Sequence, residues 1–360
     1  MDLKKVDLYT NFQIASFGKI EMTKLEEVLN KAGHSHDTFT KLLRTKIDIE
    51  KELKLRTKSI LPDHSNGILV IDDFIIKKPY TKESELNSYY FDNSEKKIIK
   101  GINVINFLYV DHNNEKMQIP VAFKPMIKDE IYEKKFIRKI RSSFTKNEVT
   151  RDIVGTLIKD QKLKVSHIVG DSWFASSENM EHFGDILEQK FLFAIKSNRN
   201  FAFKKDDKIS GKFLKIKDSN IKTGDSHRVF LKGYNKPLRL IGLYVKNGTN
   251  VDSAKGYLIT NDMETSTEAL IEIYQKRWKI EEFHKSLKQN LNIEHSPTKI
   301  PRTQINHIFF TILAFIELEK IRVGFGNNHF HIIRSLYINA TKTAFSEFQS
   351  LQKQLLLMSS

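Results

Sequence analysis

The run Ile68-Leu69-Val70-Ile71-Asp72-Asp73-Phe74-Ile75-Ile76 constrains the fold of this chain more than any other stretch. It is rich in β-branched residues, it does not alternate apolar with polar, and Lys77-Lys78-Pro79 ends it. That pattern predicts a strand buried on both faces, and so a sheet covered on both sides. Two neighbouring carboxylates nevertheless sit in its middle. An ionised carboxylate in apolar surroundings costs several kcal/mol, on the order given by desolvation, unless it is paired or ligated. Asp72 and Asp73 are therefore candidate functional groups. A second candidate, Asp171, closes the apolar stretch His167-Ile168-Val169-Gly170. Taken alone, it would be read as a turn or cap residue.

The pattern along the chain predicts the surroundings of that strand. Ile102 to Val110 and Met117 to Phe123 read as two further strands. The turn Asp111-His112-Asn113-Asn114 between them makes an antiparallel hairpin. Asn147 to Lys159 reads as a helix, Val165 to Val169 as a strand, Ser176 to Gln189 as a helix and Phe191 to Lys196 as a strand. Three strands, helix, strand, helix, strand is the element order of a ribonuclease-H-like mixed α/β sheet. Further strand-like segments follow at Gly211–Lys217, His227–Tyr234, Leu238–Lys246 and Gly256–Thr260, separated by Gly, Asn and Asp, and suggest a small β domain. Thr265-Ser266-Thr267-Glu268 has the form of a capping box, which would open one long helix reaching about Asn290. Gln304 to Arg322 and His331 to about Leu356 are helical in pattern. So is the start of the chain, where Lys24–Lys31 and Asp37–Leu43, broken at Ala32-Gly33 and capped by Ser35 or Asp37, form a helix-turn-helix-like pair. The resulting division is a helical, DNA-binding-like region over 1–62, a core first part over 63–196, a β-rich insertion over 197–264, a core helix over 265–300 and C-terminal helices over 301–360.

Charge narrows the partner. The chain carries 59 Lys and Arg against 44 Asp and Glu, a formal net charge of +15. Residues 196–246 hold 14 of those bases and only 4 acids, so most of the surplus is regional and points to a polyanion, first of all nucleic acid. Phe201, Phe203, Phe213, Phe230, Tyr234 and Tyr244 interleave with it, either as base-stacking faces or, for most of them, as the core of a small sheet. With no Cys, disulfide frameworks, thiol nucleophiles and thiolate zinc sites are excluded. The longest apolar run, Ile308 to Ile316, is interrupted by Thr311 and is too short to span a bilayer. The first residues lack the apolar stretch of a signal peptide, so a cytoplasmic protein is expected. His34, His36, His329 and His331 lack the spacing of a metal site, Gly324-Phe325-Gly326 lacks a third glycine, and Asn247-Gly248-Thr249 matches a glycosylation acceptor only formally.

The expected helix after residue 265 sharpens the chemistry. At about 100° per residue, Tyr274, Arg277, Glu281, Lys285 and Lys288 fall within an arc of roughly 80°. Ile273, Ile280, Phe283, Leu287 and Leu291 lie on an adjoining apolar face. A solvated face with a Glu281–Lys285 pair would share part of this pattern. It would not require Tyr and Arg at these offsets.

Tyr274-x2-Arg277-x3-Glu281-x6-Lys288 resembles the Y-(2)-R-(3)-E-(6)-K signature of a large branch of bacterial insertion-sequence DDE transposases. Other landmarks agree. Ile71-Asp72-Asp73-Phe74-Ile75-Ile76-Lys77-Lys78-Pro79-Tyr80 is similar to the family's first-Asp block and Val169-Gly170-Asp171-Ser172-Trp173-Phe174 to its second. Lys100-Gly101-Ile102-Asn103 and Ile119-Pro120-Val121 are similar to the strands between. The resemblance covers roughly residues 10 to 325. It implies a ribonuclease-H-like core interrupted by a β-rich insertion, and Asp72, Asp171 and Glu281 as catalytic, metal-binding residues. It also implies Mg²⁺, two ions in all, with Mn²⁺ able to substitute.

By the same resemblance Tyr274, Arg277 and Lys288 contact the transposon end; Lys285 shares their face without belonging to the motif. The implied activity is cutting at terminal inverted repeats and joining of the 3′ ends to target DNA, by a homodimer on paired ends, in a bacterial nucleoid. One departure stands out: the family has Thr where this chain has Phe74. That keeps Asp73 as a runner-up ligand, and a catalytically weakened, transposase-derived DNA-binding protein as the alternative. Another ribonuclease-H-like nuclease, such as a junction resolvase, fits the signature less well.

Overall fold

The computed structural model describes residues 2–29, 35–61, 67–92, 95–111, 117–134, 137–243 and 256–358. Two compact units emerge, residues 53–282 and residues 1–52 with 283–360. The expected break at Ala32-Gly33, the turn residues His112, Asn113 and Asn114, and Tyr244 through Thr249 lie outside the described residues.

The unit 53–282 is built on one sheet. Its strands are β1 (Ile68–Lys77), β2 (Ser88–Asp92), β3 (Lys97–Val110), β4 (Gln118–Pro125), β7 (His167–Gly170), β8 (Phe191–Ala194), β9 (Asn200–Ala202), β10 (Leu214–Lys215), β11 (Ser226–Leu231), β12 (Leu238–Leu243) and β13 (Gly256–Thr260). A separate hairpin pairs β5 (Glu130–Lys134) with β6 (Ile137–Arg141). Within the sheet, β4 pairs with β3 and β3 with β1, both antiparallel; β1 pairs with β7 and β7 with β8, both parallel. The apolar run thus takes the central place its composition calls for, with neighbours on both edges. Its carboxylates interrupt an otherwise buried pattern.

Helix α5 (Lys146–Gly155) makes the crossover to β7 and α6 (Ser177–Glu181) the crossover to β8; each runs on into a π-helical turn. Their apolar faces, with Val154, Leu157, Met180 and Phe183, share one core with Leu69, Ile71, Ile105, Phe107 and Phe193. α5 is closed at its start by a capping box, Thr145 with Glu148.

The region 197–264, expected as a small β domain of its own, continues the core sheet instead. β13 pairs antiparallel with β8, and β12, β11, β9 and β10 follow in order. Gly211–Lys217 is mostly not strand: only Leu214 and Lys215 pair, and a short 3₁₀ turn takes Ile216–Asp218. A short helix, α7 (Lys205–Ile209), precedes it.

The single long helix expected after residue 265 is two helices, α8 (Thr267–Gln275) and α9 (Trp278–Gln289). Around the break the backbone tightens: Arg277 N–H donates to the Tyr274 carbonyl at 3.0 Å and Ile280 N–H to that of Arg277 at 3.1 Å. The expected Thr265–Glu268 box does not form either. Ser266 is the cap, accepting from Ala269 N–H. The Thr265 hydroxyl donates instead to Asp262, at 2.6 Å.

The helical unit holds α1 (Leu3–Ala15), α2 (Met22–Val28), α3 (His36–Arg44), α10 (Pro301–Phe325) and α11 (His329–Met358). α4 (Ile49–Lys58) and α9 each run across a division between units. α10 is buried over most of Thr303–Glu319, and several of its polar residues there are bonded inside the unit. Tyr9 and His307 share a hydrogen bond at 2.8 Å, and Gln13 donates to Thr311 at 2.8 Å. Asn306 donates to the carbonyls of Leu43 and Thr45. Among the described residues no helix is long and apolar enough to cross a membrane.

Candidate active site

Parallel pairing of β1 with β7 sets Ile71 opposite Gly170, so Asp72 and Asp171 follow side by side where β7 ends. The carboxylates of β1 diverge, because successive strand residues point to opposite faces. Asp73 is engaged on the α5 side, where Asn103 Nδ2 and Lys146 Nζ both donate to its Oδ2 at 2.6 Å. Asp72 meets the α8–α9 break instead, with Arg277 Nη1 at 3.8 Å from its Oδ2. The same guanidinium donates through Nη2 to Glu281 Oε1 at 2.7 Å. Arg277 also lies 5.8 Å from the centre of the Tyr274 ring.

Asp72, Asp171, Tyr274, Arg277 and Glu281, five of the residues singled out in the sequence, therefore meet in one place. Break and convergence are linked: the tightened turn at Lys276-Arg277 is where Arg277 leaves the helical ladder to face β1.

The electrostatics are those of crowded carboxylates with one cation among them. Burial, then the charges of Asp171 and Asp73, push the Asp72 carboxyl up to about 7, against the partial relief of Arg277. Burial also raises Asp171, and the charge of Asp73 adds to it. Arg277 and the N–H groups of Trp173 and Phe174 oppose that rise. The Trp173 N–H donates to Asp171 Oδ1 at 2.8 Å. The Tyr274 hydroxyl is raised, first by burial, and lies within the influence of Arg277, Asp171 and Asp72.

Phe74 is buried, 8% exposed, within β1. Lys285 and Lys288 lie in the helical unit, where Lys285 Nζ sits 4.9 Å from the Phe330 ring centre and Lys288 is half-buried.

Sequence reasoning missed Lys146. It pairs with Asp73 and lies 5.4 Å from the ring centre of the exposed Trp173, which Lys196 also approaches, at 5.8 Å. Its one local signal was its place just after the Thr145 cap. Asp262 was missed too. Its carboxylate is buried and takes His167 Nε2 at 3.0 Å and Lys190 at 3.2 Å. The N–H groups of Glu264 and Thr265 also donate to it, so it ties β13 and β7 to the start of α8.

A profile of the transposase DDE domain matches residues 135–316, half of the chain. The chain belongs to the transposase DDE-domain family. The matched span contains Asp171, Tyr274, Arg277, Glu281 and Lys288, while Asp72 precedes it. A search of curated proteins finds no match. Among solved structures the chain is similar to endonuclease V of Ciona intestinalis in complex with a 23mer DNA containing an inosine, at 11% identity over 75% of this chain and 97% of that one. The TM-score is 0.28, too low for that likeness to bear on function.

Proposed function

We propose that this transposase cuts the terminal inverted repeats of its own insertion sequence and joins the freed 3′ ends to target DNA, with Asp72, Asp171 and Glu281 as its catalytic carboxylates. The observation that carries the reading is the double engagement of Arg277, which approaches Asp72 and holds Glu281 near Tyr274, where β7 ends beside the middle of β1. The Y-(2)-R-(3)-E-(6)-K branch and a ribonuclease-H-like core are part of this proposal. The strand order β4-β3-β1-β7-β8 supports the latter.

DDE transposases use divalent metals, and the carboxylates in the middle of β1 and just past β7 fit one. Asp72 and Asp171 offer hard oxygen ligands, and their crowding raises both acids in a way that a cation would relieve. Among the described residues no group of three His, Cys, Asp or Glu stands ready to hold a metal, and Glu281 is bonded to Arg277. Asp72, Asp171 and Glu281 would hold two Mg²⁺ ions, or Mn²⁺ in their place. Such ions supply an activated water or DNA 3′-hydroxyl and a stabilised leaving oxygen.

The chain's own residues divide the remaining work. Lys146 and Asn103 keep Asp73 bonded on the other face of β1, which favours Asp72 over Asp73 as ligand. Arg277 neutralises part of the carboxylate charge before DNA arrives. A backbone phosphate can take its guanidinium bidentately, freeing Glu281. Tyr274, Lys288 and Lys285 add further contacts to the transposon end, and the basic region 196–246 contacts phosphates. A pair of protomers acts on paired ends in the bacterial nucleoid. Phe74 is absorbed as packing within β1, and no observation favours the weakened DNA-binding alternative.

The test is incubation of the purified chain with Mg²⁺ and DNA carrying the inverted repeats that flank its gene. Cleavage leaving 3′-hydroxyl ends, followed by their joining into a target plasmid, is expected. End binding with no cutting in either Mg²⁺ or Mn²⁺ would overturn the proposal in favour of a DNA-binding protein.

A further inference from the structure

Within the unit 53–282, the end of α4 and residues 161–164 border a cavity of about 350 Å³. Its floor is apolar, formed by Tyr109 of β3, Val121 of β4, and Leu157 and Leu163. Tyr109, Val121 and Leu157 belong to the core of the sheet, so close packing holds that floor in place.

The rim is cationic. Lys54 and Lys58 stand one turn apart on α4, and Lys162 and Lys164 flank Leu163 across from them. The Leu163 N–H donates back to the Leu157 carbonyl at 2.9 Å, and this reversal after the π-helical turn brings the second pair to the rim. All four lysines are exposed, and no Asp or Glu lines the cavity among the described residues. Like charges one turn apart weaken a helix, and an anion seated between the two pairs relieves that repulsion.

The cavity is separate from the proposed catalytic carboxylates. Tyr109 pairs with Leu69, three residues before Asp72 on β1. An odd offset puts the two on opposite faces of the sheet. Asp73 shares the face of Leu69, but four residues further on, about 13 Å at 3.3 Å per residue.

Volume, charge and floor together define a ligand. The volume is near the lower end of the roughly 300–1,000 Å³ of small-molecule sites. Four ammonium groups match a ligand with several negative charges, and lysine binds phosphate as a point charge. A nucleotide inside a DNA strand brings one charge per phosphate, whereas a terminal di- or triphosphate brings roughly three or four. A fatty acyl anion brings a single charge, and inorganic phosphate has no body to cover the floor. Gln161, half-buried in the lining, offers an amide with two donors and an acceptor, a pattern that pairs with the edge of adenine.

We infer that this cavity is a binding site for a free nucleoside di- or triphosphate, with the base over Tyr109 and Leu163 beside Gln161 and the phosphates on the four lysines. The bound ligand joins the end of α4, which precedes β1, to the segment that precedes β7. Occupancy therefore stabilises the two strands next to which Asp72 and Asp171 lie.

Calorimetry on the full chain in EDTA, with ATP as the probe and no DNA, measures this independently of the catalytic proposal. ATP should bind at one site per chain with a dissociation constant below about 100 µM. Inorganic triphosphate should bind at least tenfold more weakly. Lys58→Ala/Lys162→Ala should weaken ATP binding at least tenfold with unchanged circular dichroism, while reversing Lys212, Lys215 and Lys217 should leave it unchanged. If the double variant fails to fold, Gln161→Ala should still remove most of the preference for ATP over triphosphate. No ATP binding at about 1 mM overturns the inference, and so does a folded double variant that binds ATP as the wild type does. Equal affinity for triphosphate also overturns it, in favour of general anion attraction. Displacement of ATP by a lower concentration of a thymidine oligonucleotide overturns it in favour of a DNA strand.

Discussion

Asp72→Asn should make the metal-free protein more stable, although it removes a proposed catalytic group. In the folded chain the Asp72 carboxyl is pushed from its ordinary 3.8 up to about 7, by burial first and then by Asp171 and Asp73. A raised folded-state value means that folding favours the protonated form. The favourable contribution is complete below the ordinary carboxylate range and is lost as pH rises through about 7. At roughly 1.4 kcal/mol per tenfold change in proton affinity, ionised Asp72 costs the fold up to about 4 kcal/mol at pH 8. Its side chain is one-fifth exposed, so local relaxation lowers the expected figure to about 2–3 kcal/mol.

Asn is nearly isosteric and carries no charge. In EDTA at pH 8 the variant should gain that amount, on the order of 5–10 °C in melting temperature. At pH 4 the two proteins should melt together. Thermal or urea unfolding of both proteins across pH 4–8 makes the comparison. An Asn variant less stable than wild type at pH 8, or a difference that does not shrink toward pH 4, would refute the carboxylate-crowding argument.

Three other outcomes follow from the geometry. Arg277→Ala or Lys288→Ala should weaken transposon-end binding at least tenfold, Lys288→Ala while moving the melting temperature by only a few degrees; a large melting loss from Lys288→Ala with normal end binding would make that residue structural. Asp262 has burial working to raise it, yet Thr265, the Glu264 and Thr265 N–H groups and Lys190 hold it well below the usual carboxylate range. Its contribution is therefore present above that range and lost as pH falls through the depressed value. Asp262→Asn should cost about 1–3 kcal/mol at pH 7 and less in acid, and a constant difference by chemical denaturation would contradict this. Reversing the exposed Lys212, Lys215 and Lys217 together should flatten the plot of log affinity against log salt by about 0.9 for each duplex phosphate no longer neutralised, and an unchanged slope would mean this charge only solubilises.

What could be read in the sequence was what is encoded locally. The β1 run shows its burial in its own composition, and its two carboxylates stand out because nothing else there is polar. Tyr274, Arg277 and Glu281 were legible because residue type and spacing occur within eight residues. The helix break was not, since Gln275-Lys276-Arg277-Trp278 contains no Gly or Pro and local propensity favours continuation. Nor was the joining of β13 to β8, a pairing between segments about sixty residues apart that no local pattern specifies. Thr265 has the right spacing to Glu268 for a cap, but Asp262 takes its hydroxyl first. Lys146 reads as one lysine in a lysine-rich chain until the crossover helix sets it against Asp73.

The central claim is that Asp72, Asp171 and Glu281 act as one metal-dependent centre on DNA. The most direct measurement compares Asp72→Asn, Asp73→Asn, Asp171→Asn and Glu281→Gln in single-turnover cleavage of terminal-repeat DNA with Mg²⁺, alongside end binding by gel shift. Asp72→Asn, Asp171→Asn and Glu281→Gln should each lose cleavage by at least a thousandfold, about 4 kcal/mol in activation free energy, and keep end binding. Asp73→Asn should retain measurable cutting. Normal cleavage by Glu281→Gln, or an active Asp72→Asn beside a dead Asp73→Asn, would contradict the account.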